Sequence, residues 1–307
     1  MYDQALSRAS EIVRQATAQG EIPVVRTFFD EPSNTATHVV HDPKTRIGAI
    51  IDSVLDFDYA SGRTSHQSAD KIIAYVNEEK ISIYWHLETH AHADHISAAP
   101  HLQAKLGGEL VIGEAIIRIQ SVFGKLFNAG TEFARDGSQF DRLLKDGEEF
   151  CLGELSAIAL HVPGHTPADM AYVIGNAAFI GDTLFMPDYG TARADFPGGD
   201  ARQLYRSIRR LLKLPDATRL FLCHDYKTNG RDHYVWETTV GAQRTENVHV
   251  HEGIDEDAFV AMRTARDATL AMPKLILPSI QLNMRAGHLP EPEPNGTRYL
   301  KIPLDTV

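Results

Sequence analysis

The sequence predicts an α/β fold, and three observations predict it. Runs 47–52, 69–76 and 81–87 read in order as strand, helix and strand. The last run passes directly into Thr89-His90-Ala91-His92-Ala93-Asp94-His95, three imidazoles and a carboxylate in seven residues. A strand ending in such a loop can aim several ring nitrogens at one point, and neutral imidazole is the commonest protein ligand for divalent transition metals. His165, Asp182 and His224 each lie just after or within further apolar strand-like runs, so all three can sit at strand ends beside that loop.

Composition sets the outer bounds. The chain has 307 residues, 43% hydrophobic and 23% charged, enough for one large domain or two small ones with a sizeable core. A formal net charge of -11 argues against a surface that tracks phosphates, so the expected partner is a small molecule and not nucleic acid. Cys151 and Cys223 form no Cys-x-x-Cys pattern; both read as packed thiols, neither as an obvious ligand nor as a disulfide pair. With no apolar run of about 18 residues and no apolar leader at the N-terminus, the expectation is a soluble, cytoplasmic protein without a membrane partner.

Taken in order, 2–19 carries apolar residues at helical spacing and stops at Gly20, an amphipathic helix. Runs 24–29, 37–41 and 47–52, separated by Pro, Asn and Lys turns, read as an antiparallel meander closed by Asp52. Helix 69–76 and strand 81–87 deliver the histidine loop; then 96–106 reads as a helix ended by Gly107-Gly108, 110–112 as a strand and 114–127 as a helix. Residues 128–146 look like an excursion from the sheet before 148–150 resumes it, and segments of this kind either shape a pocket or remain solvated. Strands 155–162 and 170–174 bracket His165, and 177–180 presents Asp182. Helix 200–214 carries Arg206, Arg209, Arg210 and Lys213 on what reads as a solvated face, and strand 219–222 delivers His224. From about 228 the character changes to a helical run at 255–270 and a proline-marked tail that wraps the rest. His249 and His251 alternate as a strand would.

His-x-His-x-Asp-His at 90–95, followed at a distance by His165, Asp182 and His224, resembles the pattern of the metallo-β-lactamase superfamily, and the resemblance covers roughly residues 24 to 290. It implies an αββα sandwich, here one domain over 1–307 with an N-terminal helix and a C-terminal extension over about 228–307. It also implies that Asp52 supports the metal loop from behind without being a ligand. The same ligand pattern serves two chemistries. In a hydrolase of the glyoxalase II type, His90, His92 and His165 would hold one metal and Asp94, His95 and His224 a second, with Asp182 bridging and Zn(II) or a dinuclear pair as cofactor. In a dioxygenase, one Fe(II) per chain would be held by His90, His165 and Asp182, a 2-His-1-carboxylate triad with open positions; His92, Asp94, His95 and His224 are kept there too.

Flanking residues favour the dioxygenase. Arg193-Ala194-Asp195-Phe196, Tyr226 after His224-Asp225, and Asn283-Met284-Arg285-Ala286-Gly287 resemble the persulfide dioxygenase branch. With the 128–146 expansion they look closest to a bacterial group named β-lactamase-like hydrolases. The resemblance implies oxidation of glutathione persulfide by dioxygen and water to sulfite and glutathione. Arg193 and Tyr226 are its candidate catalytic and substrate-binding residues, and Arg285 a further substrate contact. Thr191 departs from the branch, which has a cysteine there. Dimers occur in the resembled family, so a homodimer is the expected assembly.

Overall fold

The computed structural model describes residues 3–306. Helix α1 (Gln4–Gln19) begins where the Asp3 carboxylate accepts the Leu6 amide and ends where Gly20 turns left-handed at φ 69°. It is the helix expected over 2–19, of which residue 2 lies outside the described residues.

Strands β1 (Val24–Asp30), β2 (Thr35–His41) and β3 (Ile47–Ile51) form the antiparallel meander. Over the following stretch the sequence pattern carries no expectation, and the chain makes a hairpin of β4 (Val54–Asp58) and β5 (Arg63–Ser65). Helix α2 (Gln67–Glu78) then crosses over to β6 (Ser82–Leu87), which lies parallel to β3. Run 96–106 is not one helix. Its first two residues form β7 (Ile96–Ser97) against β4, and α3 (Ala99–Leu106) starts only afterwards, with Pro100 in its first turn. Strand β8 (Glu109–Gly113) and helix α4 (Ile116–Leu126) follow.

The segment 128–146 corrects the sequence reading twice. Its end forms β9 (Arg142–Leu144), the parallel edge strand of the first sheet beside β8, and β10 (Glu149–Leu152) opens a second sheet instead of resuming the first. Nor is it a pocket cover or a solvated loop: Phe133 and Phe140 are buried in one cluster with Ile119 and Phe123, and these aromatic side chains hold it against the body.

The second sheet runs β10, β11 (Leu155–His161), β12 (Met170–Ile174), β13 (Ala177–Phe179), β14 (Arg219–Phe221), β15 (Glu237–Thr239). Helix α5 (Ala201–Leu211) makes the crossover between the parallel β13 and β14. Arg206 and Lys213 are exposed as a solvated face requires, but Arg209 and Arg210 are partly buried against other elements. Arg202 and Arg206 pair with Glu256, Arg209 donates to the Ile254 carbonyl, and Arg210 pairs with Asp3 and Asp146. Helices α6 (Val240–Glu246), α7 (Glu256–Asp267) and α8 (Ile276–Asn283) complete the chain. The last was hidden by Pro278, which sits in the first turn, where its missing N–H costs nothing. His249 and His251 lie in a turn and a bend, not a strand. The tail returns along α8, where the Gln281 side chain exchanges two hydrogen bonds with the Lys301 backbone.

Facing sides of the two sheets bury Val40, Ile51 and Leu87 against Leu152, Tyr172 and Phe179. Helices α1, α5 and α7 cover the outer face of the second sheet, and α2 and α3 that of the first. This is the αββα sandwich. No helix is long and apolar enough to cross a membrane among the described residues. Cys223 is packed, but Cys151 is exposed, because β10 alternates and turns Phe150 and Leu152 inward.

His38 on β2 ties the sheets together: Nδ1 meets Thr27 Oγ1 at 2.9 Å and Nε2 meets the Leu222 carbonyl at 3.0 Å. Burial pushes its pKa down to about 4 from 6.5. The unfolded chain therefore takes up a proton at this residue before the folded one does. Its contribution to stability is full above 6.5 and is lost as pH falls toward 4, by about 3 kcal/mol at 1.36 kcal/mol per unit. His38→Gln is expected to flatten the pH dependence of the urea midpoint across that window.

Candidate metal centre

Strand β6 carries the chain to the seam between the sheets, where Glu88, Thr89, His90, His92 and His95 are all buried. Strand β11 leads to His165, β13 to a 3-10 turn holding Asp182, and β14 to His224. Their donor atoms fall into groups. His90, His165 and Asp182 each offer an atom within 4.8 Å of the others; so do His92, Asp94, His95 and His224. Asp182 belongs to a further group with Cys223 and His224 and stands between the two. His92 falls outside the first of these groups, although its ring lies 4.1 Å from that of His90, the neighbour it would share a metal with in a hydrolase.

His92 is held from behind. Its Nε2–H donates to Asp52 Oδ1 at 2.9 Å and lies 3.3 Å from Glu88 Oε2, so Nδ1 is the atom turned inward. Asp52 also accepts the Thr89 amide at 2.8 Å and the Thr89 hydroxyl at 2.9 Å, and holds a left-handed backbone at φ 51°. It lies behind the loop and bonds the His92 ring as well as the Thr89 backbone and hydroxyl. Each other imidazole is held by its Nδ1: His90 by Thr89 Oγ1 at 3.1 Å, His165 by the Arg193 carbonyl at 2.8 Å, His224 by the Asn34 carbonyl at 3.0 Å. Thr35 Oγ1 lies 3.4 Å from Nδ1 of both His95 and His224. These contacts fix the tautomer that leaves Nε2 free as a donor.

Glu88, Thr35 and the Arg193 carbonyl escape sequence reasoning. Glu88 alone carried a signal, an acid placed before the histidine loop.

Among the described residues, the buried atoms His90 Nε2, His92 Nδ1, His95 Nε2, His224 Nε2, Asp94 Oδ2 and Asp182 Oδ1 have no hydrogen-bond partner. Buried polar atoms are rarely left so, and this many in one place fit cations better than any protein contact. Burial and the neighbouring imidazoles hold His90 well below 6.5, in the neutral form a ligand needs. For His92 burial works downward, but Asp52 and Glu88 prevail and raise it well above 6.5. Burial and the Asp52 carboxylate push the Cys223 thiol well above 9.0, so it stays protonated although Asp182 and His224 lie close.

Of the donors, Asp94, His95, His165 and Asp182 line a cavity of about 1030 Å³. The β4–β5 hairpin forms one wall, and Arg266, Leu270 and Lys274 part of another. Tyr226 lines it, its ring stacked at 5.9 Å from that of His224. Arg193 lines it too, but its guanidinium is taken: Nε and Nη2 bind Asp195 at 2.6 and 2.7 Å, and Nη1 the Ala271 carbonyl at 2.7 Å. Arg285 is not among the lining residues. It caps its own helix through the Gln281 carbonyl and lies over the Phe133 ring at 4.3 Å.

A fold of two αβ layers with its donors gathered at the strand ends of their seam defines a metal-dependent class, and sequence comparison agrees. Residues 37–224 match the metallo-beta-lactamase superfamily model, and the chain belongs to that superfamily. It is 60% identical to a probable metallo-hydrolase of Burkholderia pseudomallei over 92% of this chain and 99% of that protein. It is 44% identical to glyoxylase B2 of Dictyostelium discoideum over 92% and 97%, and 28% identical to the mitochondrial persulfide dioxygenase ETHE1 of Mus musculus over 91% and 97%. Among solved structures it is similar to ETHE1 from Myxococcus xanthus, with a TM-score of 0.67 and 29% identity over 86% of this chain and 100% of that one.

Proposed function

We propose that this chain is a persulfide dioxygenase that converts glutathione persulfide, dioxygen and water to glutathione and sulfite, using one Fe(II) held by His90, His165 and Asp182. The observation that carries the reading is the convergence of these three donors, two imidazoles and one carboxylate, within 4.8 Å of one another. Such a triad leaves open positions at which Fe(II), when bound, brings a sulfur ligand and dioxygen together. In the balance, the terminal sulfur gains two oxygen atoms from dioxygen and one from water, and the carrier leaves as the thiol.

The chain's own residues orient the reactants. Tyr226 sits beside His224; desolvation in the cavity and the Asp94 and Asp182 carboxylates push its phenol well above 10.0, so it acts as a hydrogen-bond donor. Arg193 orients His165 through its carbonyl and shapes the wall through Asp195. Its side chain is the lesser part, and Arg193→Ala is expected to lower turnover by less than about tenfold, since the carbonyl remains. Arg266 and Lys274 line the cavity without an ion-pair partner among the described residues and would take the carboxylates of glutathione. Removing both charges is expected to raise KM for glutathione persulfide about tenfold and to leave kcat nearly unchanged, as loss of uniform binding does. One domain over 1–307 acting on a small thiol, with no nucleic acid, completes the reading.

A second reading has its own support. His92, Asp94, His95 and His224 form a complete second donor group, and a relative carries the name glyoxylase B2. Two metals, as Zn(II) or a mixed pair, would then serve a glutathione thioesterase. Product analysis separates the two. Iron-supplemented protein given glutathione persulfide should release sulfite, and given S-lactoylglutathione should release no lactate. Lactate without sulfite overturns the dioxygenase.

A further inference from the structure

Two parts of the chain take no part in lining the metal cavity: the segment 128–146, and the run Asn283-Met284-Arg285-Ala286-Gly287 at the end of α8. They meet each other. Phe133 and Phe140 share a buried cluster with Ile276, Ile280, Met284 and Ala286, and the Arg285 guanidinium lies 4.3 Å from the Phe133 ring centre. Gln120 on α4 joins them with polar bonds. Its Nε2 donates to the Met284 carbonyl at 3.0 Å and to Gln139 Oε1 at 2.6 Å, and its Oε1 accepts the Gly137 amide at 2.9 Å. Gly287, at φ 82°, packs so closely that a Cβ there would meet Pro100 Cδ and the Ser97 carbonyl, both at 2.9 Å.

What this assembly presents to the centre is one carboxamide. Asn283 is buried. Its Nδ2 donates to the His92 and His95 carbonyls, each at 2.8 Å, and its Oδ1 accepts the Ser97 amide at 2.9 Å. The histidine loop is irregular and buried, so the His92 and His95 carbonyls have no strand partner, and an amide with two donors and an acceptor satisfies both together with the amide of Ser97 on β7.

We infer that Asn283 is the positioning residue of the histidine loop, and that segment 128–146 and α8 form a buttress whose purpose is to hold that carboxamide against the backbone at His92, His95 and Ser97. The buttress sets how tightly and with what geometry the centre holds metal, whichever chemistry follows. Asn283 bonds no donor atom; it acts on the carbonyls of His92 and His95, one on each side of Asp94 in the chain. It ties the far end of the chain to the loop, more than 180 residues earlier, through the bonds to Ser97 (186 positions), His95 (188) and His92 (191).

The test uses the full-length metal-free chain and Co(II) alone. Affinity is measured by chelator competition, together with the visible spectrum of the Co(II) form and the melting temperature of the metal-free form. Asn283→Asp keeps the size of the side chain and removes both donors. It is expected to weaken Co(II) binding about 10- to 100-fold, the usual effect of losing an outer partner of a metal site, and to alter the spectrum. Phe133→Ala, at the far end of the buttress, should weaken binding several-fold in the same direction. Phe259→Leu, on the buried face of α7, should lower melting and leave Co(II) affinity unchanged. Wild-type affinity and spectrum in Asn283→Asp would overturn the inference. So would a Phe259→Leu chain that loses affinity in step with its melting temperature. Where Asn283→Asp does not fold, the pair Phe133→Ala and Phe259→Leu decides: equal Co(II) affinities overturn it.

Discussion

Asp182→Ala is expected to lower turnover by roughly 10³-fold, about 4 kcal/mol of activation free energy, and to reduce bound metal to a small fraction of wild type. Asp182 is the only carboxylate in the three-donor group and recurs in the group with Cys223 and His224. Its Oδ2 lies 3.5 Å from His165 Nε2 and its Oδ1 3.2 Å from His224 Nε2, while Oδ1 has no hydrogen bond of its own. Truncation therefore takes away the anionic donor and leaves two imidazoles facing each other. Metal content by emission spectroscopy checks the first claim, and turnover per bound metal separates loss of metal from loss of chemistry. An Asp182→Ala chain with full metal content and turnover within tenfold of wild type would contradict the assignment of the centre.

Asp52→Ala should cost the most stability of any change near the site, about 3–5 kcal/mol, because it strips the partner from three buried donors at once. Those donors are the Thr89 amide, the Thr89 hydroxyl and His92 Nε2–H. His92 would then be held by Glu88 alone, 3.3 Å away, and could turn or change tautomer, presenting a protonated Nδ1 to the metal. The expected signature is a lower urea midpoint for the metal-free chain together with metal affinity weakened by about 10- to 100-fold. Loss of affinity with an unchanged midpoint would show that Asp52 acts on the ligand alone and not on the loop.

How much of this could be read beforehand depends on distance along the chain. His90, His92, Asp94 and His95 are legible because a loop between a strand and the seam carries all four donors locally, and His165, Asp182 and His224 because each ends an apolar run. The meander β1–β3 and the bracketing strands β11 and β12 follow from simple alternation and turns. What stayed hidden depends on partners far away in sequence. Arg210 of α5 looks like part of a solvated face until the fold brings Asp3 and Asp146 to it. The segment 128–146 looks like a loop because Phe133 and Phe140 show no period, and their partners lie on α8. Arg193 drew attention as a side chain, whereas the His165 ring is fixed by its carbonyl, which any residue could supply. The hairpin β4–β5 carries no strong strand signal, its Asp56 and Asp58 serving to cap α2 and its own turn.

The proposed mononuclear iron centre consumes dioxygen together with a persulfide. Its most direct test is metal analysis and oxygen uptake on one anaerobically purified, iron-supplemented sample. About one iron per chain, with oxygen consumed only when glutathione persulfide is present, is the predicted result. Two metals per chain and no oxygen uptake with the persulfide would contradict it.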